Sequence, residues 1–229
     1  MSDPRPLLRQ LIRTFFPDYL RIVEPDSAGK MRLDLITFPT PEKVAEWGDD
    51  DQSDPGLDFR IVAEVPARRG EFVTVLVQVE AEAQTPPEAA RRLGCYLTGL
   101  ELRYGQPVLL SVVYLRGGRA GVHLESAAIG EAFGIELVRI FYTAFCLEEA
   151  RAEYFLERPE PLAWALSALM RPIRRSPEEH RRACLERIAA TALDEERRAL
   201  LRQGVEVFGD ALSTAVPATA RRFAGRARG

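Results

Sequence analysis

The chain has 229 residues, of which 46% are hydrophobic and 28% charged, with a formal net charge of −3. This length allows one substantial core, or a core with an appended helical region. No apolar stretch approaches the roughly 20 residues of a membrane-spanning helix, and the N-terminus lacks a signal-peptide pattern. Three widely separated cysteines are typical of neither a disulfide framework nor a metal site. We therefore expect a cytoplasmic protein with no membrane contact.

Charge is unevenly distributed along the chain. Residues 171–229 contain 13 arginines and 8 acidic residues, a net charge of +5, so residues 1–170 contain 18 basic and 26 acidic residues, a net charge of −8. A protein that holds DNA by itself usually has a clear basic surface. Only the C-terminal part of this chain has that composition.

The N-terminal third is expected to contain one interrupted helix and a β-hairpin. "PLLRQLIRTFFPDYLRIV" has helical apolar spacing with a break near Pro17, "MRLDLITF" (31–38) is typical of a strand, and the Pro- and Asp-rich segment that follows predicts a loop. The segments 57–65 and 72–82, joined by "PARRGE", predict an antiparallel hairpin.

The remainder is expected to complete an α/β core and then become helical. "TPPEAARRLGCYLTGLELRY" predicts a helix capped by Thr85, and "PVLLSVVYL" (107–115) predicts a strand buried on both faces. A turn at Gly117 and Gly118 precedes a last strand at 135–145. Four helical segments follow, the third starting at Ser176 and Pro177. We predict an α/β core over residues 1–145 and a helical region over residues 146–229, packing on the core or extending it.

Two carboxylates close the second strand of the hairpin. Glu80 and Glu82 stand at i and i+2, so they point to the same side and repel each other. A hairpin symmetrical about residue 69 would bring Asp58 to the same end. Three carboxylates there would suit Mg²⁺, which would also remove the repulsion. The alternative is that the glutamates are solvated, or paired with Arg91 or Arg92.

Other residues are weaker candidates for a functional site. His123 and His180 have no Ser, Cys or carboxylate at a motif spacing, so we expect both on the surface. Cys95 is expected in the core, on the face of its helix that meets the sheet. No glycine-rich phosphate loop of the P-loop or Rossmann kind is present.

Several segments together resemble a known family. "LDFRIVAEV", "VQVEAEAQTPPEAARRLGCY" and "GQPVLLSVVYLRGG" are similar to the Rpn (recombination-promoting nuclease, putative transposase) family of the PD-(D/E)XK nuclease superfamily. Asp58 and Glu80 match its acidic positions, Arg92-Leu93-x-x-Tyr96 matches its helix motif, and Pro107-Val108 opens the next strand. With "FFPDYL" and "PEPLAWALSALM", the similarity spans about residues 10–170.

The resemblance implies a PD-(D/E)XK core, a mixed sheet flanked by helices, that cleaves DNA phosphodiesters with Mg²⁺ or Mn²⁺ and no organic cofactor. By the same resemblance, Asp58 and Glu80 would be metal ligands, and Arg92 and Tyr96 would anchor the helix and face the site or the core. Independently of the resemblance, Arg91 or Arg92 would lie near phosphate, because a phosphate held at a metal needs positive neighbours; the alternative is that both lie on a solvated helix face.

The chain departs from the family at Glu82, where the superfamily has Lys and this family usually Gln. A glutamate there can act as a general base but brings no positive charge. Two hypotheses therefore stand: a metal-dependent DNA endonuclease with Asp58, Glu80 and Glu82 as catalytic residues, or a catalytically degenerate fold that binds a partner or itself. Cleavage of both strands would call for a homo-oligomer.

Overall fold

The computed structural model describes residues 4–40, 59–82, 94, 97–99, 101, 105–132 and 135–214. The N-terminal helices are α1 (Arg5–Thr14), α2 (Phe16–Val23) and α3 (Pro25–Ala28). The strands are β1 (Phe59–Pro66), β2 (Phe72–Glu82), β3 (Val108–Arg116), β4 (Gly121–Ala132) and β5 (Ile135–Cys146). The C-terminal helices are α4 (Ala152–Glu157), α5 (Pro161–Leu166), α6 (Pro177–Ala189) and α7 (Glu195–Thr214). Short 3₁₀ turns occupy Leu33–Leu35 and Ser167–Leu169.

The five strands form one mixed sheet in the order β1-β2-β3-β5-β4. The β1–β2 and β4–β5 pairs are antiparallel, and β3 runs parallel to both β2 and β5. Between β2 and β3 the described residues 94, 97–99 and 101 are helical, as predicted. An α/β fold with a mixed sheet flanked by helices is therefore confirmed.

Alternation along the strands divides the core between the two faces of the sheet. Val75, Val77 and Val79 of β2 belong to the larger apolar cluster, which also contains residues of each helix from α1 to α7. Leu76 belongs to a smaller cluster on the opposite face, against which Leu97 packs. The continuous apolar run of β3 contributes to both clusters, so the prediction of a strand buried on both faces is confirmed.

The helical predictions follow from proline placement and capping. Pro17 lies in the first turn of α2, directly after α1 ends at Thr14, because proline is tolerated where its missing N–H is not needed. Ser176 and Glu179 form a complete capping box at the start of α6. Among the described residues no helix is long and apolar enough to cross a membrane.

Two strand predictions were incomplete. Residues 31–38 do not form a strand: only isolated bridges, Met31↔Ala67 and Thr37↔Glu64, join them to the hairpin, because a 3₁₀ turn lies between them. The strand β4 was not predicted. Its segment "ESAAIGEA" is poor in the β-branched and aromatic residues that indicate strands, and its register shifts between Ala128 and Glu131.

Candidate functional site

The hairpin has the register that the carboxylate prediction requires. Phe59 pairs with Val79 and Arg60 with Gln78, so each pair sums to 138, the sum of 58 and 80. Glu80 then pairs with Tyr114 of β3 on its other side. Asp58 itself lies outside the described residues, so its convergence with Glu80 remains a prediction.

Glu80 is half-buried near the carboxyl end of β2. Its Oε1 accepts a hydrogen bond from Nε2 of Gln78, two residues earlier on the same face. Glu82 continues the strand, where its backbone pairs with Arg116 of β3. Glu80 is therefore a fixed carboxylate, one of whose oxygens is held by a neighbouring amide.

A buried arginine on the same face was missed by the sequence reasoning. Arg60 occupies the position opposite Gln78 in the β1–β2 ladder and is only 6% exposed. Cross-strand partners share a face, so Arg60 lies on the face of the sheet that carries Gln78 and Glu80. Its position opposite Gln78 could have been read from the pairing sum, since 60 and 78 also add to 138.

A second polar group crosses the same face toward β4. The hydroxyls of Tyr114 and Tyr142 lie 3.4 Å apart, and Tyr142 donates to Oε2 of Glu125 at 2.8 Å. Nε2 of His123 lies 2.8 Å from Oε1 of the same glutamate. We call this group the Tyr–Glu–His network.

Burial dominates the electrostatics of the two tyrosines. It raises the pKa of Tyr114 to about 12, and the negative charges of Glu125 and Glu80 act in the same direction. It also raises the pKa of Tyr142 far above its ordinary value, with the hydrogen bond to Glu125 adding to the rise. Both hydroxyls therefore stay protonated at neutral pH and act as donors on the face that carries Glu80.

The prediction that both histidines lie on the surface was wrong. The His123 side chain is 10% exposed, and its Nε2 contacts Glu125, two residues later on the same edge strand. His180 is 2% exposed, and its Nε2 lies 3.1 Å from the Ser167 hydroxyl. Ser167 reaches His180 from a separate turn, which the sequence does not show. Glu125 stands two residues after His123 on the same strand, a spacing that became informative only once β4 was recognised as a strand.

The remaining predicted residues are not placed by the structure. Arg91, Arg92, Tyr96 and Cys95 lie outside the described residues, and for Glu82 only the backbone is described. Among the described residues no group of three or more His, Cys, Asp or Glu side chains could hold a metal ion. The donor chemistry of Glu80 nevertheless fits Mg²⁺, which prefers carboxylate oxygen and keeps several waters.

Comparisons with known proteins place the chain in no family. No family model matches it, and no curated protein or solved structure is significantly similar to it. The five-stranded mixed sheet with Glu80 at the carboxyl end of its second strand is thus the firmest basis for a function.

Proposed function

We propose that the protein is a Mg²⁺-dependent DNA endonuclease with a PD-(D/E)XK core, related to the recombination-promoting nucleases. The observation that supports this proposal best is the register of the β1–β2 hairpin, followed by a parallel β3. This register places the carboxylate of Glu80 near the end of β2, and continuing it by one residue would pair Glu80 with Asp58.

In this proposal Asp58 and Glu80 hold the metal, and Gln78 fixes the rotamer of Glu80 through its amide hydrogen bond. The metal, when bound, would polarise the phosphodiester and lower the pKa of a bound water. Glu82 would accept the proton of the attacking water. Arg60, buried on the same face, would supply the positive charge that the usual Lys brings to this site.

The test is nicking of supercoiled plasmid with Mg²⁺ or Mn²⁺, with metal binding measured by calorimetry on the same samples. Asp58→Ala and Glu80→Gln should abolish both nicking and metal binding. Glu71→Gln serves as the matched control, because Glu71 is exposed just before the other end of β2 and should leave both unchanged.

The result that would overturn the proposal is a folded wild-type protein that neither binds metal at millimolar concentration nor nicks DNA. That result would favour the alternative, a nuclease fold that has lost catalysis and serves as a binding module. Nicking that survives Glu80→Gln would instead refute the assignment of the site.

A further inference from the structure

An exposed loop before α6 presents basic and apolar side chains together. Ile173 is 70% exposed and Tyr154, on α4, is 57% exposed. Four exposed arginines accompany them on the loop and at the start of α4. We call these six residues the basic loop patch: Arg151, Tyr154, Arg171, Ile173, Arg174 and Arg175.

The loop is fixed by contacts with α4. Oε1 of Glu153 accepts hydrogen bonds from the backbone N–H groups of Ile173, at 2.8 Å, and Arg174, at 2.6 Å. A backbone bridge joins Arg151 to Arg171. Because these bonds order the loop before any ligand arrives, binding would cost little additional backbone entropy.

The arginines of the patch differ from those of the neighbouring helix. On α7, Arg198 and Arg202 form salt bridges with Glu195. In the described part of the chain none of the four patch arginines forms a salt bridge, and the carboxylate of Glu153 is engaged by backbone amides. Glu157 and Glu186 line the same surface pocket as Arg174 and Arg175 without a salt bridge to either arginine. The patch therefore presents four exposed arginines that form no salt bridge among the described residues, together with two exposed uncharged side chains.

We propose that the basic loop patch binds the backbone of duplex DNA. Guanidinium groups pair with phosphates through charge-assisted hydrogen bonds, and an exposed isoleucine or aromatic ring suits contact with sugars and bases in the minor groove. The choice of DNA as the ligand rests on the proposed function, whereas the charge and geometry of the patch are independent of that proposal. The patch would bind the duplex independently of the metal site.

The experiment measures binding of a fluorescent duplex by anisotropy in EDTA, as a function of salt concentration. Each phosphate contact contributes about 0.9 to the slope of log K against log salt. Arg174→Ala/Arg175→Ala should therefore reduce that slope by about 1.8, and weaken binding by roughly 50-fold at about 0.1 M salt. Ile173→Ala should weaken binding several-fold and leave the slope unchanged, since it removes no charge.

The matched control is Arg68→Ala/Arg69→Ala, which removes another pair of adjacent, exposed arginines, located in the β1–β2 turn. This control should change the slope by much less than the loop variant. Equal losses in both variants would overturn the proposal, because binding would then follow net charge alone. Thermal unfolding of each variant confirms that the fold is retained.

Two further outcomes separate this inference from the proposed function. Binding to vesicles of anionic lipid, with no binding to duplex DNA, would overturn the inference in favour of a membrane surface. If Glu80→Gln abolishes nicking while Arg174→Ala/Arg175→Ala leaves DNA binding in EDTA unchanged, the nuclease stands and the patch fails. If the loop variant lowers DNA binding but the wild type never nicks DNA, the patch stands and the nuclease fails.

Discussion

Gly204 lies where α7 crosses the helices beside it. A Cβ added at Gly204 would lie 2.8 Å from Cδ1 of Leu11 and 3.5 Å from Cβ of Ala165. Leu11 is fully buried, so its side chain can move only by displacing other core atoms. We therefore expect Gly204→Ala to destabilise the protein, although alanine is the better helix former.

The size of the effect follows from two opposing contributions. Replacing glycine by alanine inside a helix contributes about 1 kcal/mol of stability, whereas overpacking a tight core costs about 1–3 kcal/mol. The variant should lose about 1 kcal/mol of unfolding free energy on balance. Urea denaturation followed by circular dichroism measures this change.

Gly209, five residues later in the same helix, provides the control. A Cβ there would meet the Arg181 side chain at 3.6 Å, an ordinary contact. Gly209→Ala should stabilise the protein by about 0.5–1 kcal/mol. The two variants should thus differ by about 2 kcal/mol; equal stabilisation by both would refute the close approach of α7 to α1.

Three other expectations concern buried polar groups. Tyr19→Phe removes a 2.6 Å hydrogen bond to Ser111 and should lower the free energy of unfolding by about 1–2 kcal/mol. Adding Ser111→Ala should restore part of this loss, because the serine hydroxyl is then no longer buried without a partner. Urea titration of the single and double variants would show whether stability recovers. Burial lowers the pKa of His180, so the unfolded chain takes up the proton more readily. Stability should therefore fall as pH drops below about 6.5, and less so in His180→Gln; identical pH dependence of unfolding in both proteins would contradict this. Burial raises the pKa of Cys146 to about 11, so iodoacetamide at about pH 8 should alkylate this thiol only after the protein unfolds. Mass spectrometry measures the alkylation, and rapid alkylation of the folded protein would contradict the prediction.

The sequence was sufficient wherever periodicity and local capping determine structure. The break between α1 and α2 followed from Pro17, the start of α6 followed from Ser176, and the hairpin register followed from the position of its turn. These are local rules, and the folded chain obeys them.

What the sequence could not supply was set by tertiary neighbours. β4 forms because it pairs with β5 along its length, even though its own residues are weak strand formers. The Tyr–Glu–His network joins residues of three strands, and the sequence places only His123 and Glu125 close together. The burial of His180 likewise depends on Ser167, from a separate turn.

The packing of the first helix against the last also bears on how the chain folds during synthesis. Leu11 of α1 and Leu201, Val205 and Phe208 of α7 belong to one apolar cluster, yet nearly the whole chain separates them. At about 5–20 residues per second, a ribosome needs roughly 10–40 s to add the 200 residues between the ends of α1 and α7. The apolar side of α1 therefore receives its contacts with α7 only after nearly the whole chain has been synthesised, so this part of the core is completed late.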